Sequence, residues 1–596
     1  MTDPEISKTF DRRSAIFLGA GGVLTSILIL RMLQLQLFGY NSYRKKSENN
    51  AMRVHVDLPM RGRILSADGK HLAKDIPAYR AYLIPEESND TNAVLDAVKT
   101  QLALKDTQVT RIQATITKQR KFQPALIRDN LNWNDLAGIQ SMNLPGLHVE
   151  SGFLRSYPLG ANAAHLCGYL GAVATAPRPD QELAASSPFF LTGVAGVEKI
   201  SDEALAGRAG RTVLQVDASG RIVGEDASQN IIAKPGHDVQ TTIIEPVQIA
   251  LSDAIIQNKA GCGVAMEIAT GNILAIASAP AFDANLFRGI DSGDYMDSLL
   301  SDDLNPFMNK AVEGAYPPGS TFKIVVALAG LESGAISPTE KIHCSGDWDF
   351  GNHTYHCWEK HGHGWVDLSD AIAFSCDIYF YQMALRIGID AIKSMAQKLG
   401  LGQKLLNEFS KENPGILPDR RWKEKNVGQK WMLGDTVISG IGQGYILANC
   451  IQLATLSARA ASNRAVVPRL FPGDAPDFAP LGLAQKNMDI VLGGLARVLE
   501  PGGTASGAAI NVNGQKMGGK TGTSQVRSIS KAERASGVRT NEQLEWALRN
   551  HGLFTGFAPV GDPRYVVAVV CEHAGSSGPA ARAAAAVMRE VLKTKN

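Results

Sequence analysis

A serine followed three residues later by a lysine begins an apolar segment in the C-terminal half of the chain. The segment reads Y-P-P-G-S-T-F-K at 316–323 and continues as I-V-V-A-L-A-G-L, which predicts a buried helix beginning near Ser320. Residues three apart share a helix face, so Lys323 should lie beside Ser320. A serine hydroxyl becomes a nucleophile when a nearby neutral amine takes its proton. The pair therefore predicts covalent catalysis by Ser320 with Lys323 as general base.

A second segment, F-S-C-D at 374–377, offers Ser375 and Asp377, which could orient or shuttle protons near that serine. S-x-x-K alone is weakly specific, because an N-cap serine with a surface lysine gives the same pattern. The ordered combination of S-T-F-K, S-C-D and a later K-T-G-T is much rarer. The set is typical of penicillin-binding proteins and related β-lactamases.

The third segment is G-G-K-T-G-T at 518–523. Lys520 would be a second cation that keeps the first amine neutral, and Thr521 and Thr523 offer hydroxyl donors. Gly522 would let a peptide backbone lie against the strand. This arrangement suits a peptide that ends in a carboxylate and binds as an added strand.

Cysteine and histidine concentrate between residues 343 and 376, where five of 12 His and three of 7 Cys occur. Thiolate and imidazole are ligands that zinc prefers, and a structural zinc site takes four of them. A bound zinc would fix the loop that carries Ser375 and Asp377. The predicted ligands are Cys344, Cys357, His363 and Cys376.

Other interpretations of this segment stay open. Cys344 and Cys357 could form a disulfide in an oxidising compartment, or the histidines could belong to a solvated loop. One predicted ligand could also be replaced by His343, His356 or His361. The remaining thiols stand in apolar contexts that predict core positions; they are Cys167, Cys262, Cys450 and Cys571.

An uncharged segment, 14–30, lies near the N-terminus and continues as apolar sequence beyond Arg31. We expect an uncleaved transmembrane anchor over 14–40 preceded by a short cytoplasmic tail, 1–13. A cleaved signal peptide is the alternative, but no clear A-x-A site follows the segment. Basic residues flank it on both sides, so the orientation rests on chemistry that belongs outside the inner membrane.

Composition limits the class of protein. The 596 residues suffice for several domains, and 60 Lys+Arg against 58 Asp+Glu argue against a dedicated nucleic-acid binder. Seven cysteines exclude a disulfide-stapled scaffold. We predict a pedestal at 41–235, with an inserted, mostly helical head at about 80–150, and a catalytic domain at 236–596.

The catalytic part should be an α+β or α/β sandwich, because strands flank a helical body. A hairpin is predicted over 264–280 around Thr270-Gly271-Asn272, and a buried strand over 566–571. Ala67-Asp68-Gly69 predicts a further hairpin turn. The charged segment 526–546, directly after K-T-G-T, could be a mobile flap over the cleft.

Nearly the whole chain resembles the class B penicillin-binding proteins, most closely the penicillin-binding protein 2 branch of the rod-elongation machinery. Asp377 stands where Asn is usual in these enzymes, and S-x-D is similar to that branch. Further matching motifs are R-G-R-I at 61–64, R-S-Y-P-L-G at 155–160 with His165, G-V-E-K at 196–199, N-P-F-M-N-K-A at 305–311, G-I-G-Q-G-Y at 440–445 and G-L-F-T-G-F-A-P at 552–559.

The resemblance implies a multidomain α+β fold with an N-terminal transmembrane helix, an elongated pedestal and a serine β-lactamase-like transpeptidase domain. It implies a D,D-transpeptidase in which Ser320 attacks D-Ala-D-Ala of a peptidoglycan stem peptide, and which β-lactams acylate at the same serine. Lys323 would be the base within a network of Ser375, Asp377 and Lys520. The backbone N–H groups of Ser320 and Thr523 would form the oxyanion hole.

In that branch Thr521 and Thr523 would bind the substrate carboxylate, and zinc ligands map onto Cys357, His363 and Cys376. The implied partners are a SEDS-type glycosyltransferase and a rod-complex scaffold protein, reached through the pedestal and the membrane helix. Two other classes stay open: a serine hydrolase of the same fold, either D,D-carboxypeptidase or β-lactamase, and a non-catalytic assembly scaffold.

Overall fold

The computed structural model describes residues 4–35, 52–173, 176–217, 222–289, 291–527, 533 and 537–595. Backbone contacts divide the chain into two compact units. The smaller unit combines Met1–Pro59, Thr175–Phe190 and Arg208–Pro235, and the larger combines Met60–Ala174, Leu191–Gly207 and Gly236–Asn596.

The described α-helices alternate with strands along most of the chain. In chain order they are α1 (Pro4–Leu33), α2 (Thr91–Leu102), α3 (Asp106–Lys118), α4 (Trp133–Met142), α5 (Ala164–Cys167), α6 (Glu182–Ala185), α7 (Gly196–Ile200), α8 (Asp202–Leu205), α9 (Glu245–Ile256), α10 (Ser292–Leu300), α11 (Lys310–Glu313), α12 (Lys323–Glu332), α13 (Leu368–Ala373), α14 (Asp377–Ile387), α15 (Ile389–Lys398), α16 (Arg420–Val427), α17 (Leu433–Ser439), α18 (Cys450–Ser462), α19 (Gln485–Arg497) and α20 (Gly578–Thr594).

The described strands range from two-residue pairings to a 13-residue strand, β3. They are β1 (Met52–Asp57), β2 (Ile64–Leu65), β3 (His71–Leu83), β4 (Ala125–Arg128), β5 (Leu147–Ser156), β6 (Leu170–Gly171), β7 (Thr192–Gly193), β8 (Gly210–Val216), β9 (Ile222–Glu225), β10 (Val239–Gln240), β11 (Gly261–Glu267), β12 (Ile273–Ala279), β13 (Ile342–Cys344), β14 (Asp347–Phe350), β15 (His353–His356), β16 (Gly364–Val366), β17 (Asn511–Val512), β18 (Gln515–Lys516), β19 (Gly518–Ser524), β20 (His551–Ala558) and β21 (Tyr565–Cys571).

The smaller unit contains α1 and a three-stranded antiparallel sheet in the order β1-β8-β9. The apolar part of α1, Ala15–Leu33, has 19 residues and none of it is buried. At 1.5 Å per residue it spans about 28 Å, close to the thickness of a bilayer core. The helix begins at Pro4, within the predicted tail, and residues 36–40 of the predicted anchor lie outside the described residues.

In the larger unit, three of the sequence motifs meet in one buried ion network. Glu198 accepts from Arg61 Nε and Arg155 Nε, each at 2.6 Å. Arg61 also pairs with Asp202 at 2.7 Å, and Arg155 pairs with Asp75 at 3.1 Å. A buried charge that loses its partner is strongly destabilising, so the motifs at 61–64, 155–160 and 196–199 have a common structural basis.

In the head, helices α2, α3 and α4 pack against the C-terminal part of β3 and against β4 and β5. β3 pairs with β5 from Lys74↔Ser156 to Leu83↔Leu147 and also with β4. Its core includes Leu95, Val98 and Ile127. The segment of about 84–144, expected to be mostly helical, contains these three helices. The four-residue strand β4 was not predicted, because so short a segment carries little periodic signal.

The catalytic part is built on an antiparallel five-stranded sheet in the order β12-β11-β21-β20-β19. Helices α9 and α20 pack together against one face, and α18 packs on β20 and β21 from the other. β11, β12 and β21 form the predicted hairpin and buried strand. The predicted α+β sandwich is therefore confirmed, and it leaves β19 with its outer edge unpaired among the described strands.

Candidate active site

Ser320 lies in a short 3₁₀ helix, Gly319–Phe322, that leads directly into α12. Gly319, the residue before Ser320, has φ of +54°. This left-handed conformation costs a residue other than glycine roughly 1–2 kcal/mol. The Gly319 N–H donates to the carbonyl of Gly442 at 2.9 Å. The prediction of a helix beginning near Ser320 is confirmed. The turn at 318–322, called the nucleophile turn below, is fixed by this hydrogen bond to Gly442.

Lys323 is fully buried one turn after Ser320. Its Nζ donates to Asp377 Oδ1 at 2.7 Å, to the Ser375 carbonyl at 2.9 Å and to Ser375 Oγ at 3.2 Å. Ser375 itself adopts φ of +55°. The structure thus brings the S-x-x-K and S-x-D segments together around one ammonium group.

Lys520 is the second buried amine of the site, on β19. Among the described residues its Nζ contacts Thr521 alone, at 3.3 Å from the carbonyl oxygen and 3.4 Å from Oγ1. Burial lowers the pKa of Lys520 well below its usual range, and the charge of Lys323 lowers it further, against an opposing effect of Asp377. Among the described lysines Asp377 thus pairs with Lys323, and the amine whose pKa burial lowers is Lys520, whereas the sequence predicted Lys520 to be the cation that keeps Lys323 neutral.

Ser320 is partly exposed. Within the described ranges no hydrogen-bond partner engages its Oγ. The hydroxyl is therefore not committed to a neighbour and can turn toward a reacting carbonyl. This is the geometry expected of a nucleophile before its substrate arrives.

The K-T-G-T strand approaches the nucleophile turn closely. A Cβ on Gly522 would lie 2.9 Å from the Pro318 carbonyl oxygen, and a Cβ on Gly319 would lie 2.7 Å from the Thr523 carbonyl oxygen. Sequence reasoning assigned Gly522 to substrate access. The structure adds a second reason, because only glycine permits the strand to contact the turn.

Two polar residues beside this strand were not predicted. Thr504 Oγ1 lies 3.0 Å from Thr521 Oγ1, and its N–H donates to the Ala373 carbonyl. Gln443 Nε2 donates to the Thr523 carbonyl oxygen at 3.0 Å. Gln443 lies within G-I-G-Q-G-Y, so the motif was recognised without a role; Thr504 follows P-G-G, a pattern with no specific signal.

The four predicted metal ligands converge. Their Sγ and ring nitrogen atoms all lie within 4.8 Å of one another, and His363 Nδ1 is 3.6 Å from the Sγ atoms of both Cys344 and Cys357. A tetrahedral zinc with Zn–S bonds of about 2.3 Å needs ligand atoms at roughly this spacing. The three-cysteine, one-histidine donor set therefore fits zinc.

The thiols share protons within this cluster. A hydrogen bond with Cys376 is the main cause that lowers the pKa of Cys357 to about 3 and that of Cys344 to about 6, whereas the pKa of Cys376 is raised. Burial lowers the pKa of His363, but hydrogen bonds with the thiols outweigh it and raise that pKa to about 9. All seven cysteines are free and buried, so Cys344 and Cys357 are not linked.

The metal-ligand cluster connects directly to the catalytic residues. Cys376 is the N-cap of α14 and stands between Ser375 and Asp377. Trp358, which follows Cys357, donates its backbone N–H to Asp377 Oδ2 at 3.0 Å and its indole N–H to the Ser375 carbonyl at 3.1 Å. Asp377 is thus held between Trp358 on one oxygen and Lys323 on the other.

The predicted flap, 526–546, lies partly outside the described residues, which omit 528–532 and 534–536. Its described end contains a short 3₁₀ helix, Asn541–Gln543. The flap therefore stays a prediction.

Comparison with known proteins places this geometry in a family. The Penicillin binding protein transpeptidase domain matches residues 261–593, and the Penicillin-binding Protein dimerisation domain matches residues 56–241. The peptidoglycan D,D-transpeptidase MrdA of Acinetobacter baumannii is 32% identical, over 98% of this chain and 88% of its own length.

Solved structures agree with the fold. Penicillin-binding protein PBP2 of Helicobacter pylori, solved in complex with MreC, superposes with a TM-score of 0.75 at 23% identity, covering 91% of this chain and 99% of that one. A chain of a peptidoglycan synthase complex that coordinates polymerization and crosslinking gives a TM-score of 0.68 at 26% identity, covering 98% and 97%.

Fold and site together define the class of serine transpeptidases, with a buried lysine three residues after the serine and a sheet edge that no described strand covers. The chain belongs to the penicillin-binding protein transpeptidases, and its near-full-length similarity is to the PBP2 (MrdA) enzymes.

Replacing Gly319 should separate the nucleophile turn from β19. We expect Gly319→Ala to lower the rate constant of acylation by a fluorescent penicillin at least about tenfold, because the added Cβ meets the Thr523 carbonyl. Gly334→Ala is the matched control, since Gly334 has φ of +70° with nothing within 4 Å of the added Cβ. Equal acylation rates in the two variants would contradict the close-approach argument.

The Asp377 carboxylate predicts a pH effect. Asp377 raises the pKa of Lys520, so Asp377→Asn should lower that pKa and move the acid limb of the pH profile of the acylation rate constant to lower pH. Asp419→Asn, which breaks the Lys393–Asp419 pair, should leave that limb in place. An acid limb that moves to higher pH in Asp377→Asn would refute the assignment.

Proposed function

We propose that this chain cross-links peptidoglycan as a D,D-transpeptidase, with Ser320 as the nucleophile. The observation that carries the proposal is a site with two buried amines: Lys323, three residues after Ser320, is bonded to Asp377, and Lys520 has a pKa lowered by burial. The relatives named above are transpeptidases, which favours this function over the hydrolase and scaffold alternatives.

In the first half-reaction Ser320 Oγ attacks the carbonyl carbon between the two terminal D-Ala residues of a stem peptide. Its proton passes to the lysine pair, which can accept it because one amine is neutral. The C–N bond breaks, the terminal D-Ala leaves as an amine that takes a proton from the pair, and an ester to Ser320 remains. Ser375 and Asp377 hold the Lys323 ammonium in place throughout.

In the second half-reaction the amine of another stem peptide attacks the ester, and the lysine pair removes its proton. The new amide bond is the cross-link, and Ser320 recovers its proton. The backbone N–H groups of Ser320 and Thr523 stabilise the oxyanion in both halves. The donor peptide lies along the outer edge of β19, with Thr521 and Thr523 toward its carboxylate.

Acylation by penicillin tests the nucleophile. Wild-type protein treated with benzylpenicillin should gain one covalent adduct, located on the peptide containing Ser320, whereas Ser320→Ala should gain none. Ser333→Ala, at the end of the same helix, is the control and should be labelled like wild type. Mass spectrometry of intact and digested protein measures both, and a stable adduct in Ser320→Ala would remove the basis of the proposal.

A reaction with a peptide amine as acceptor distinguishes a transpeptidase from a D,D-carboxypeptidase. With a D-Ala-D-Ala donor peptide and a second peptide bearing a free side-chain amine, a transpeptidase forms the linked product. A D,D-carboxypeptidase releases only the shortened donor. The ratio of the two products, measured by chromatography, decides between these activities.

The same proposal includes a structural zinc ion held by Cys344, Cys357, His363 and Cys376. Zinc would supply a fixed tetrahedral centre, and no chemical step requires it. Its ligands would restrain the loop on which Ser375 and Asp377 lie, so that Lys323 keeps its partners. The convergent donor set is the support for this part of the proposal.

Metal analysis tests the zinc site. Purified wild-type protein should contain about one zinc per chain, and Cys344→Ser should lose it together with thermal stability, because a structural zinc contributes to folding free energy. Cys571→Ser, a buried core thiol outside the cluster, should retain the metal. Zinc-free wild-type protein with Cys344 joined to Cys357 would refute the site.

The cellular location and the partners follow from the proposed reaction. α1 is long and apolar enough to be a single-pass membrane anchor, and peptidoglycan lies outside the inner membrane, so the catalytic domain belongs in the periplasm. The likeness to a peptidoglycan synthase complex supports a glycosyltransferase partner. We assign contacts with the SEDS-type glycosyltransferase and a rod-complex scaffold protein to the pedestal and α1, with a role in wall elongation.

A further inference from the structure

Gln443 donates a hydrogen bond to a backbone carbonyl group that a substrate peptide bound along β19 would also use as an acceptor. Its Nε2 donates to the Thr523 carbonyl oxygen at 3.0 Å. β19 is the last strand of its sheet, and β20 is its ladder partner. A peptide that adds to the outer edge of such a strand bonds to the carbonyl and N–H groups on that edge.

The Thr523 carbonyl lies on that outer edge. A Cβ on Gly319 would be 2.7 Å from the Thr523 oxygen and 3.3 Å from the Thr523 nitrogen, so both groups face the nucleophile turn rather than β20. In an antiparallel ladder the N–H and C=O groups of one residue point to the same side. Gln443 therefore occupies an acceptor directly beside Ser320.

Gln443 is itself well placed by its neighbours. Gly442 has φ of +69°, and its carbonyl accepts the Gly319 N–H at 2.9 Å. A Cβ on Gly442 would meet the Gly319 carbonyl oxygen at 2.2 Å. The backbone next to Gln443 is thus fixed to the nucleophile turn, while the Gln443 side chain is partly exposed.

We propose that Gln443 is a specificity-determining residue whose amide substitutes for the substrate N–H in the free enzyme. Its amide gives way when a ligand presents an N–H to the Thr523 carbonyl. Ligands with this N–H then exchange one hydrogen bond for another, whereas ligands without it leave the Gln443 bond intact. This inference rests on the proposed function of Ser320.

Two β-lactams that differ in this N–H isolate the effect of the Gln443 hydrogen bond on binding. Benzylpenicillin carries an amide N–H beside its lactam carbonyl, and imipenem has a hydroxyethyl group there and no N–H. Gln443→Ala should lower the dissociation constant of the pre-acylation complex with benzylpenicillin about threefold to tenfold, the size of one neutral hydrogen bond. The acylation rate constant and both constants for imipenem should stay unchanged.

Gln443→Met extends the test, because a thioether of similar length and no charge cannot donate to a carbonyl and so removes the same competition. Gln113→Ala removes an exposed amide of the head that bonds Asn92, and it is the control. Stopped-flow acylation resolves binding from bond formation, and imipenem reactivity reports that each variant is folded.

Each outcome decides the inference. A lower dissociation constant for benzylpenicillin, with that for imipenem unchanged, supports the inference. Weaker binding of both ligands would assign Gln443 a purely structural role, and unchanged benzylpenicillin binding would show that the amide does not compete; either result overturns it. Wild-type protein without a Ser320 adduct from either ligand would instead contradict the proposed function itself.

Discussion

The site depends on a charge imbalance in a dry environment: two buried amines and one carboxylate. An ammonium ion without a counter-ion is costly to bury, so the Asp377 carboxylate can hold only one of the two charges. Lys323 takes that partner at 2.7 Å, and the pKa of Lys520 is lowered by burial. Under the proposed function, the lowered pKa of Lys520 is what lets the site accept a proton from Ser320.

That imbalance requires three distant segments to remain in contact. The S-x-x-K turn, the S-x-D loop and β19 are separated by more than 50 and more than 140 residues. The backbone of β19 nevertheless approaches the turn, and the Lys323 side chain bonds the loop. Glycine makes this possible, because Gly319 and Gly522 approach carbonyl oxygens more closely than a side chain would allow. The sandwich fold supplies rigid elements, so that small errors in position do not accumulate.

The S-x-D loop needs separate support because Ser375 adopts a left-handed conformation. Trp358 bonds Asp377 and the Ser375 carbonyl, while Cys376 joins the loop to the cysteine and histidine cluster. An aspartate in place of the usual asparagine adds the charge that Lys323 binds. Loop support and catalytic charge are therefore placed by the same few residues, which explains why cysteines, histidine and acid occur so close together in the chain.

The sequence by itself singled out the residues that meet at the candidate site: Ser320, Lys323, Asp377, Lys520 and the clustered cysteines and histidine were all predicted from residue type, order and resemblance. It also determined the hairpin at 264–280 and the buried strand at 566–571, because alternation and apolar runs are local signals. Only the tertiary structure decided which amine holds the carboxylate, what Thr504 and Gln443 contact, and that motifs at 61–64, 155–160 and 196–199 share one ion network. These are long-range contacts, and their energies depend on distances and burial that no local pattern encodes.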